Sequence, residues 1–434
     1  MSARKLLIVD VAALGWDLAT RSTALGGGEG VAFHPIETVF PALTCTVQAS
    51  FRTEALPCFH GVVANGFYGR HLRRAFFWEQ SARLVYGRRI WEPLRGRGRR
   101  VGLLFWQQSL GESVDLVLSP RPIHKHHGGM IQDCYSQPPD LYDALSKRVG
   151  RRFNLFQYWG PTAGRGSSEW IAAATAALLR DRDRAPDLLF TYLPHLDYDL
   201  QRHGPDSPQA ADAAATVGRL LAGLRAAAAE TGYDWMIFGD YAMAPVTRPP
   251  VFPNRILRDA GLFRVRSVRG RAYPDFFASR AFALADHEVA LVYTDDAASA
   301  RAAADALARA GHVQVLDREG QRHAGVDDPA NADLLLVAEE GSWCAYPWWT
   351  DDREAPDYAT HVDIHNKPGY DPCELFFGFP PPRIATDAAR LRGTHGRAGP
   401  GRRTAWATSL PIDREPVHIT DLAKAVQDVM EDDA

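Results

Sequence analysis

Three short apolar runs in this 434-residue chain each close on an aspartate. Leu6 to Val9 reaches Asp10, Asp187 to Leu193 leads through Pro194 and His195 to Asp197, and Trp235 to Gly239 leads to Asp240 and Tyr241. Uninterrupted runs of this kind mark strands buried on both faces, which occur mainly in parallel sheets. In open parallel sheets functional groups gather beyond the carboxyl ends of the strands, so three carboxylates delivered there form a constellation. Thr44 is a fourth candidate. A strand ending near Leu43 and a helix opening at Thr44 would set its hydroxyl against free backbone amides and the positive end of the helix dipole, a setting that favours phosphate. The same position also describes an ordinary helix cap. A threonine hydroxyl is almost wholly protonated at neutral pH, and a bound divalent cation would activate it by stabilising the alkoxide.

The elements that must position these groups are those of an α/β fold. Between the second and third runs lies a helix with Ser207 as cap, Pro208 at its first position, and Val217, Leu220, Leu221 and Leu224 along one face, ended by Thr231-Gly232. A second helix is expected from Ser168 to Arg182, capped by Ser167 or Ser168. Strand, helix, strand is the unit of a doubly wound sheet. Residues 76–166, rich in aromatics, Arg, Pro and Gly, read as a loop-rich lid insertion. Residues 263–349 read as a small α+β cap domain, with strands over Glu288 to Thr294, His312 to Leu316 and Ala332 to Glu340 and a helix from Ala297 to Ala310. The catalytic core then consists of 1–75, 167–262 and 350–434, and ends in a helix from Ile419 to Met430.

At 46% hydrophobic and 23% charged the composition is that of a globular protein, which excludes wholesale disorder. A net charge of -3 exerts no overall pull on nucleic acid or an anionic membrane, so neither partner is expected and an anionic substrate needs a local site. The basic stretch from Tyr86 to Arg100 reads as a solvated loop. Cys45, Cys58, Cys134, Cys344 and Cys373 are odd in number and irregularly spaced, which argues for a reducing compartment rather than a disulfide framework. The first apolar run is interrupted by Asp10 and reads as a strand rather than a leader. No segment approaches the ~18–20 apolar residues of a membrane span. A cytoplasmic protein is expected; the oligomeric state stays open.

The segment FPALTCTVQASFRTEALPCFHGVVANGFY, Phe40 to Tyr68, is the most specific in the chain: Thr53 follows Thr44 by nine residues, then come Pro57, His60, Gly61 and Asn65. Here the sequence resembles the nucleotide pyrophosphatase/phosphodiesterase branch of the alkaline phosphatase superfamily, with Glu54 where the family usually has glycine. The resemblance implies a doubly wound α/β/α sandwich of alkaline phosphatase type, Thr44 as nucleophile on phosphorus, and Asn65 as a hydrogen-bonding partner of a phosphoryl oxygen. It also implies two zinc ions. Carried over by motif, Asp10, Thr44, Asp197, Asp240 and His395 would be the ligands, Asp197 being fixed by Gly204-Pro205 and His395 by its GTHG setting.

Two expected histidines are replaced, by Gln201 and Tyr241. An amide or a phenol binds Zn²⁺ less well than imidazole, so the remaining oxygen donors would suit Mg²⁺ or Mn²⁺, or a single ion. His195, Asp199, His203 and His287 are the nearby candidates to substitute. His124, His126 and His127 belong to a flexible lid loop, and the loop carrying Asp363 and His365 lines the pocket. The function expected is hydrolysis of a small phosphodiester or pyrophosphate through a phosphothreonine. Alternatives are phosphoryl transfer or mutase chemistry on the same scaffold, or a degenerate member that binds a phosphorylated metabolite without turning it over. Retention of Thr44, Asn65, the three aspartates and His395 argues for the enzyme.

Overall fold

The computed structural model describes residues 4–25, 31–328, 331–412 and 414–432. In chain order, the central sheet takes β1 (Lys5–Val11), β2 (His34–Ile36), β3 (Val101–Leu104), β4 (Leu116–Pro120), β5 (Cys134–Gln137), β6 (Leu188–Leu193) and β7 (Tyr233–Gly239). A second sheet is built from β8 (Ala281–Asp286), β9 (Val289–Thr294), β10 (Val313–Leu316) and β11 (Leu334–Ala338), and β12 (Thr404–Thr408) returns to the first. The central order is β2-β12-β7-β1-β6-β3-β4-β5. The pairs formed by β7, β1, β6, β3 and β4 are parallel, and the edge pairs are antiparallel.

Alternation along β1 splits the core into two layers. Leu7, Val9 and Val11 pack with the helices Arg165–Leu179 and Pro208–Thr231, whereas Leu6 and Ile8 pack with Thr44–Thr53 and Ile419–Asp432. A strand with apolar side chains on both faces is what a sheet covered by helices on both sides requires. The register sets Asp10 opposite Tyr192 on one side and Phe238 on the other, so the three aspartates emerge at one sheet end. Ser207 caps its helix by accepting from the Ala210 N–H at 3.1 Å, and Gly232 ends it in the left-handed region.

The cap sheet, ordered β8-β9-β11-β10, is antiparallel throughout and carries the helix Ala297–Ala310. Four local expectations differ from what is seen. The 76–166 stretch, expected as a lid, supplies three strands of the central sheet, β3 to β5, and the helix Leu141–Val149. These strands are four or five residues long and stand between Arg- and Gly-rich connections, which hides their pattern. The helix expected from Ser168 begins at Arg165 behind Gly164, and Ser167 bonds back to the Gly164 carbonyl instead of capping. No strand ends at Leu43: β2 stops at Ile36, and Pro41, without an N–H, cannot join a ladder. In the basic stretch Arg89 is buried against Glu112 at 2.9 Å, Arg95 meets Asp115 at 3.5 Å and Arg99 meets Asp187 at 3.3 Å, so it is largely an ion-paired seam rather than a solvated loop.

Candidate active site

Thr44 is the first residue of its helix, preceded by an extended Leu43 with no side-chain cap, and it is buried. The Thr44 and Thr46 amides have no intrahelical acceptor at this end. The Cys45 amide is satisfied by Asn65 Oδ1 at 3.1 Å. His60 holds that arrangement together. Its Nδ1 accepts from the Val62 N–H at 3.2 Å, so Nε2 carries the proton and donates to Ser50 Oγ at 2.7 Å. Burial keeps the ring neutral, its pKa pushed down to about 3. The conspicuous His60-Gly61 element thus ties the Thr44–Thr53 helix to the turn that leads to Asn65.

Asp10, Asp197, Asp240 and His395 all converge on the same region, and all are buried. Gln48 donates to Asp10 Oδ2 at 2.7 Å, while Asp10 Oδ1 has no partner. Asp240 Oδ1 accepts from the Ala13 and Tyr241 amides, while its Oδ2 has none. Burial raises both carboxyl groups, Asp10 to about 8 and Asp240 well above its usual range, the latter also through the neighbouring Asp10 charge. His395 gives its Nδ1–H to the Ala42 carbonyl at 2.9 Å, which leaves a bare lone pair on Nε2, 3.8 Å from Asp197 Oδ1.

Asp197 is closed. Tyr241 donates to its Oδ1 at 3.0 Å and Gln201 Nε2 to its Oδ2 at 2.6 Å, and the Gln201 carbonyl is taken by the Tyr370 hydroxyl. The Tyr241 ring lies parallel to His395 with centroids 3.4 Å apart. Among the described residues no three His, Cys, Asp or Glu side chains form a group able to hold a metal ion. The donor chemistry sharpens this. Asp10 Oδ1 and Asp240 Oδ2, from neighbouring carboxylates, fit one hard cation, since two buried carboxylate oxygens without partners are costly otherwise; the Thr44 hydroxyl hydrogen-bonds Tyr241 beside them. A second ion does not fit: both oxygens of Asp197 and the oxygen of Gln201 are engaged, and His395 alone offers a free donor.

Of the four candidate substitutes, His287 alone reaches the site. His195 is buried with Nδ1 unpartnered, outside the cavity lining, Asp199 pairs with Arg202, and His203 is exposed. His287 and Glu288 form the two-residue tip between β8 and β9, where His287 takes a positive φ of 57°. Asp286 accepts from the Asn65 N–H at 2.8 Å and from its Nδ2 at 3.2 Å, and also holds His287 Nδ1 at 2.7 Å. His287 stacks on Tyr370 at 3.7 Å and lies 3.9 Å from His395. Glu288 binds Arg402 at 2.9 Å and the Arg397 amide. The readable signal is ADHEV, three polar residues between two apolar strands, whose Asp286-His287 pair reads from the sequence as structural or substrate-facing.

Thr44, Asp197, Tyr241, His287 and His395 line one end of a cavity of about 820 Å³. The sequence from residue 21 to 371 matches the family described as Type I phosphodiesterase / nucleotide pyrophosphatase. The chain belongs to that family. Membership places it among the phosphoric ester hydrolases. Its fold is similar to phosphonoacetate hydrolase from Sinorhizobium meliloti 1021 (16% identity, TM-score 0.65, covering 100% of this chain and 96% of that one). It is also similar to murine ectonucleotide pyrophosphatase/phosphodiesterase 5 (17% identity, TM-score 0.60, covering 99% and 95%). No curated protein matches the sequence significantly. Among the described residues no helix is long and apolar enough to cross a membrane.

Proposed function

We propose that this family member hydrolyses a small phosphodiester or pyrophosphate through a covalent phosphothreonine on Thr44, with one divalent cation beside it. The observation that carries the reading is that Thr44, first in its helix and on the cavity wall, is tied to both unpartnered carboxylates through its neighbours: Gln48 of the same helix donates to Asp10 at 2.7 Å, and the Thr44 hydroxyl hydrogen-bonds Tyr241, the residue after Asp240. When bound between those residues, a cation would lower the pKa of the threonine hydroxyl and offset the two carboxylates, which otherwise repel an anionic ester. An all-oxygen donor set favours Mg²⁺ or Mn²⁺ over Zn²⁺.

The chain's own residues supply the rest. The free amides at the helix start hold a phosphoryl oxygen, and the Asn65 NH₂, with one hydrogen on Asp286, has its other available for the same oxygen. Thr44 Oγ bonds to phosphorus as the bond to the leaving oxygen breaks. That oxygen keeps the electron pair and gains the proton Thr44 gives up. Water then cleaves the phosphothreonine and returns a proton to Thr44. The five unbonded cysteines support a cytoplasmic location.

The test is intact-protein mass spectrometry after acid quenching of turnover with a p-nitrophenyl phosphodiester. A covalent phosphoryl adduct on wild type, absent from Thr44→Ala, is expected, with turnover lost by about 10³-fold or more. Equal activity in both proteins overturns the reading.

A further inference from the structure

We infer that the substrate carries a single phosphoryl group on a large, uncharged, apolar arm, and is not a nucleoside polyphosphate; this rests on the hydrolase reading above. The cavity, at about 820 Å³, lies within the roughly 300–1,000 Å³ of sites that enclose a drug-sized molecule. No Lys or Arg lines it among the described residues, although the chain holds 49 of them. A second phosphate would therefore meet no fixed counter-charge while facing Asp197 and Asp363.

Two amide side chains of the wall are already spent on neighbours. Gln80 donates to the Trp78 carbonyl and to Gln107 Oε1 at 2.7 Å, and its own oxygen accepts from the Gln108 amide at 3.0 Å. Gln107 Nε2 is spent on the Tyr158 hydroxyl at 3.2 Å. Amides so engaged cannot read the edge of a base or a sugar without breaking bonds already made. Contact surface comes from Trp78, Trp159, Ile364 and Met130, and Asn154 and Gln157 add neutral polar groups but no cation. At the mouth the apolar surface continues into solvent through Phe156 (56% exposed), Phe377 (55%) and Val362 (44%), all lining the cavity. Exposed apolar side chains contiguous with a pocket mark a path for an apolar ligand longer than the pocket.

Two p-nitrophenyl phosphodiesters with the same leaving group separate the possibilities, one esterified with decanol and one with the thymidine 5′-hydroxyl. Binding of decylphosphonate is followed in parallel by the fluorescence of the cavity tryptophans, which needs no turnover. The decyl ester is expected to have at least tenfold higher kcat/KM, decylphosphonate to change the emission saturably, and Phe377→Ser, at an exposed site, to reduce the decyl-to-thymidyl ratio by threefold or more. Turnover of the thymidyl ester equal to or better than the decyl ester overturns the apolar-arm assignment and leaves the hydrolase reading standing. Saturable decylphosphonate binding without turnover of either ester does the reverse. Neither binding nor turnover removes both.

Discussion

The Tyr241 phenol donates a 3.0 Å hydrogen bond to Asp197 while its ring lies face to face on His395. One aromatic side chain thereby occupies two groups that family resemblance assigns to metal. Wild-type protein dialysed against excess cation is expected to retain one equivalent per chain. Replacing Gln201→His and Tyr241→His together should raise zinc to two, because it frees Asp197 and adds two imidazoles. Elemental analysis decides it, and two tightly held ions in the unmodified protein would contradict the closure of Asp197.

Asn65 depends on a carboxylate from the other sheet. Because Asp286 receives both the Asn65 N–H and its Nδ2, Asp286→Ala should release the amide and lower kcat by about 10- to 100-fold with a smaller change in KM. Steady-state kinetics on a chromogenic diester, with circular dichroism to verify folding, measure this. A kcat within twofold of wild type would show that Asn65 needs no such support.

His60 gives a pH dependence. Its folded-state pKa of about 3 lies below the ordinary 6.5, so between those values the unfolded chain binds a proton that the folded chain does not. The sign follows: stability is complete above about pH 6.5 and falls as the pH drops toward 3, by up to about 1.4 kcal/mol per pH unit from this residue. Urea midpoints between pH 7 and 4 should fall less steeply in His60→Gln. Parallel slopes for the two proteins would contradict it.

Glu54 ends the Thr44–Thr53 helix at φ 53° and ψ 36°, the left-handed region where a side chain costs about 1 kcal/mol relative to glycine. Glu54→Gly should therefore stabilise the protein by ~0.5–1 kcal/mol without changing kcat. Chemical denaturation measures the gain, and a loss of stability would show that the Glu54 side chain contributes more than its backbone strain removes.

Much of this fold was legible because long apolar runs are unambiguous. Leu6 to Val9, Asp187 to Leu193 and Trp235 to Gly239 became adjacent parallel strands, and Ser207, Pro208 and Gly232 bounded their helix as those residue types dictate. The 76–166 stretch failed because strands of four or five residues leave no period to detect. At the site, motif spacing pointed to Thr44, Asn65 and the aspartates. The partners that decide their behaviour, Tyr370 on Gln201 and Asp286 on Asn65, lie 169 and 221 residues away in sequence. No local pattern encodes such pairings; they arise only when distant segments of the chain pack together.

The turn at His287 also bears on how this protein can be engineered. Its three consecutive polar residues reach out of one sheet to anchor Asn65, face the cavity and bind Arg402. The cap is therefore not an interchangeable module. Excising or swapping it would strand a buried arginine, loosen the Asn65 amide and open the cavity wall at once, so a minimal version of this protein must keep Asp286 to Glu288.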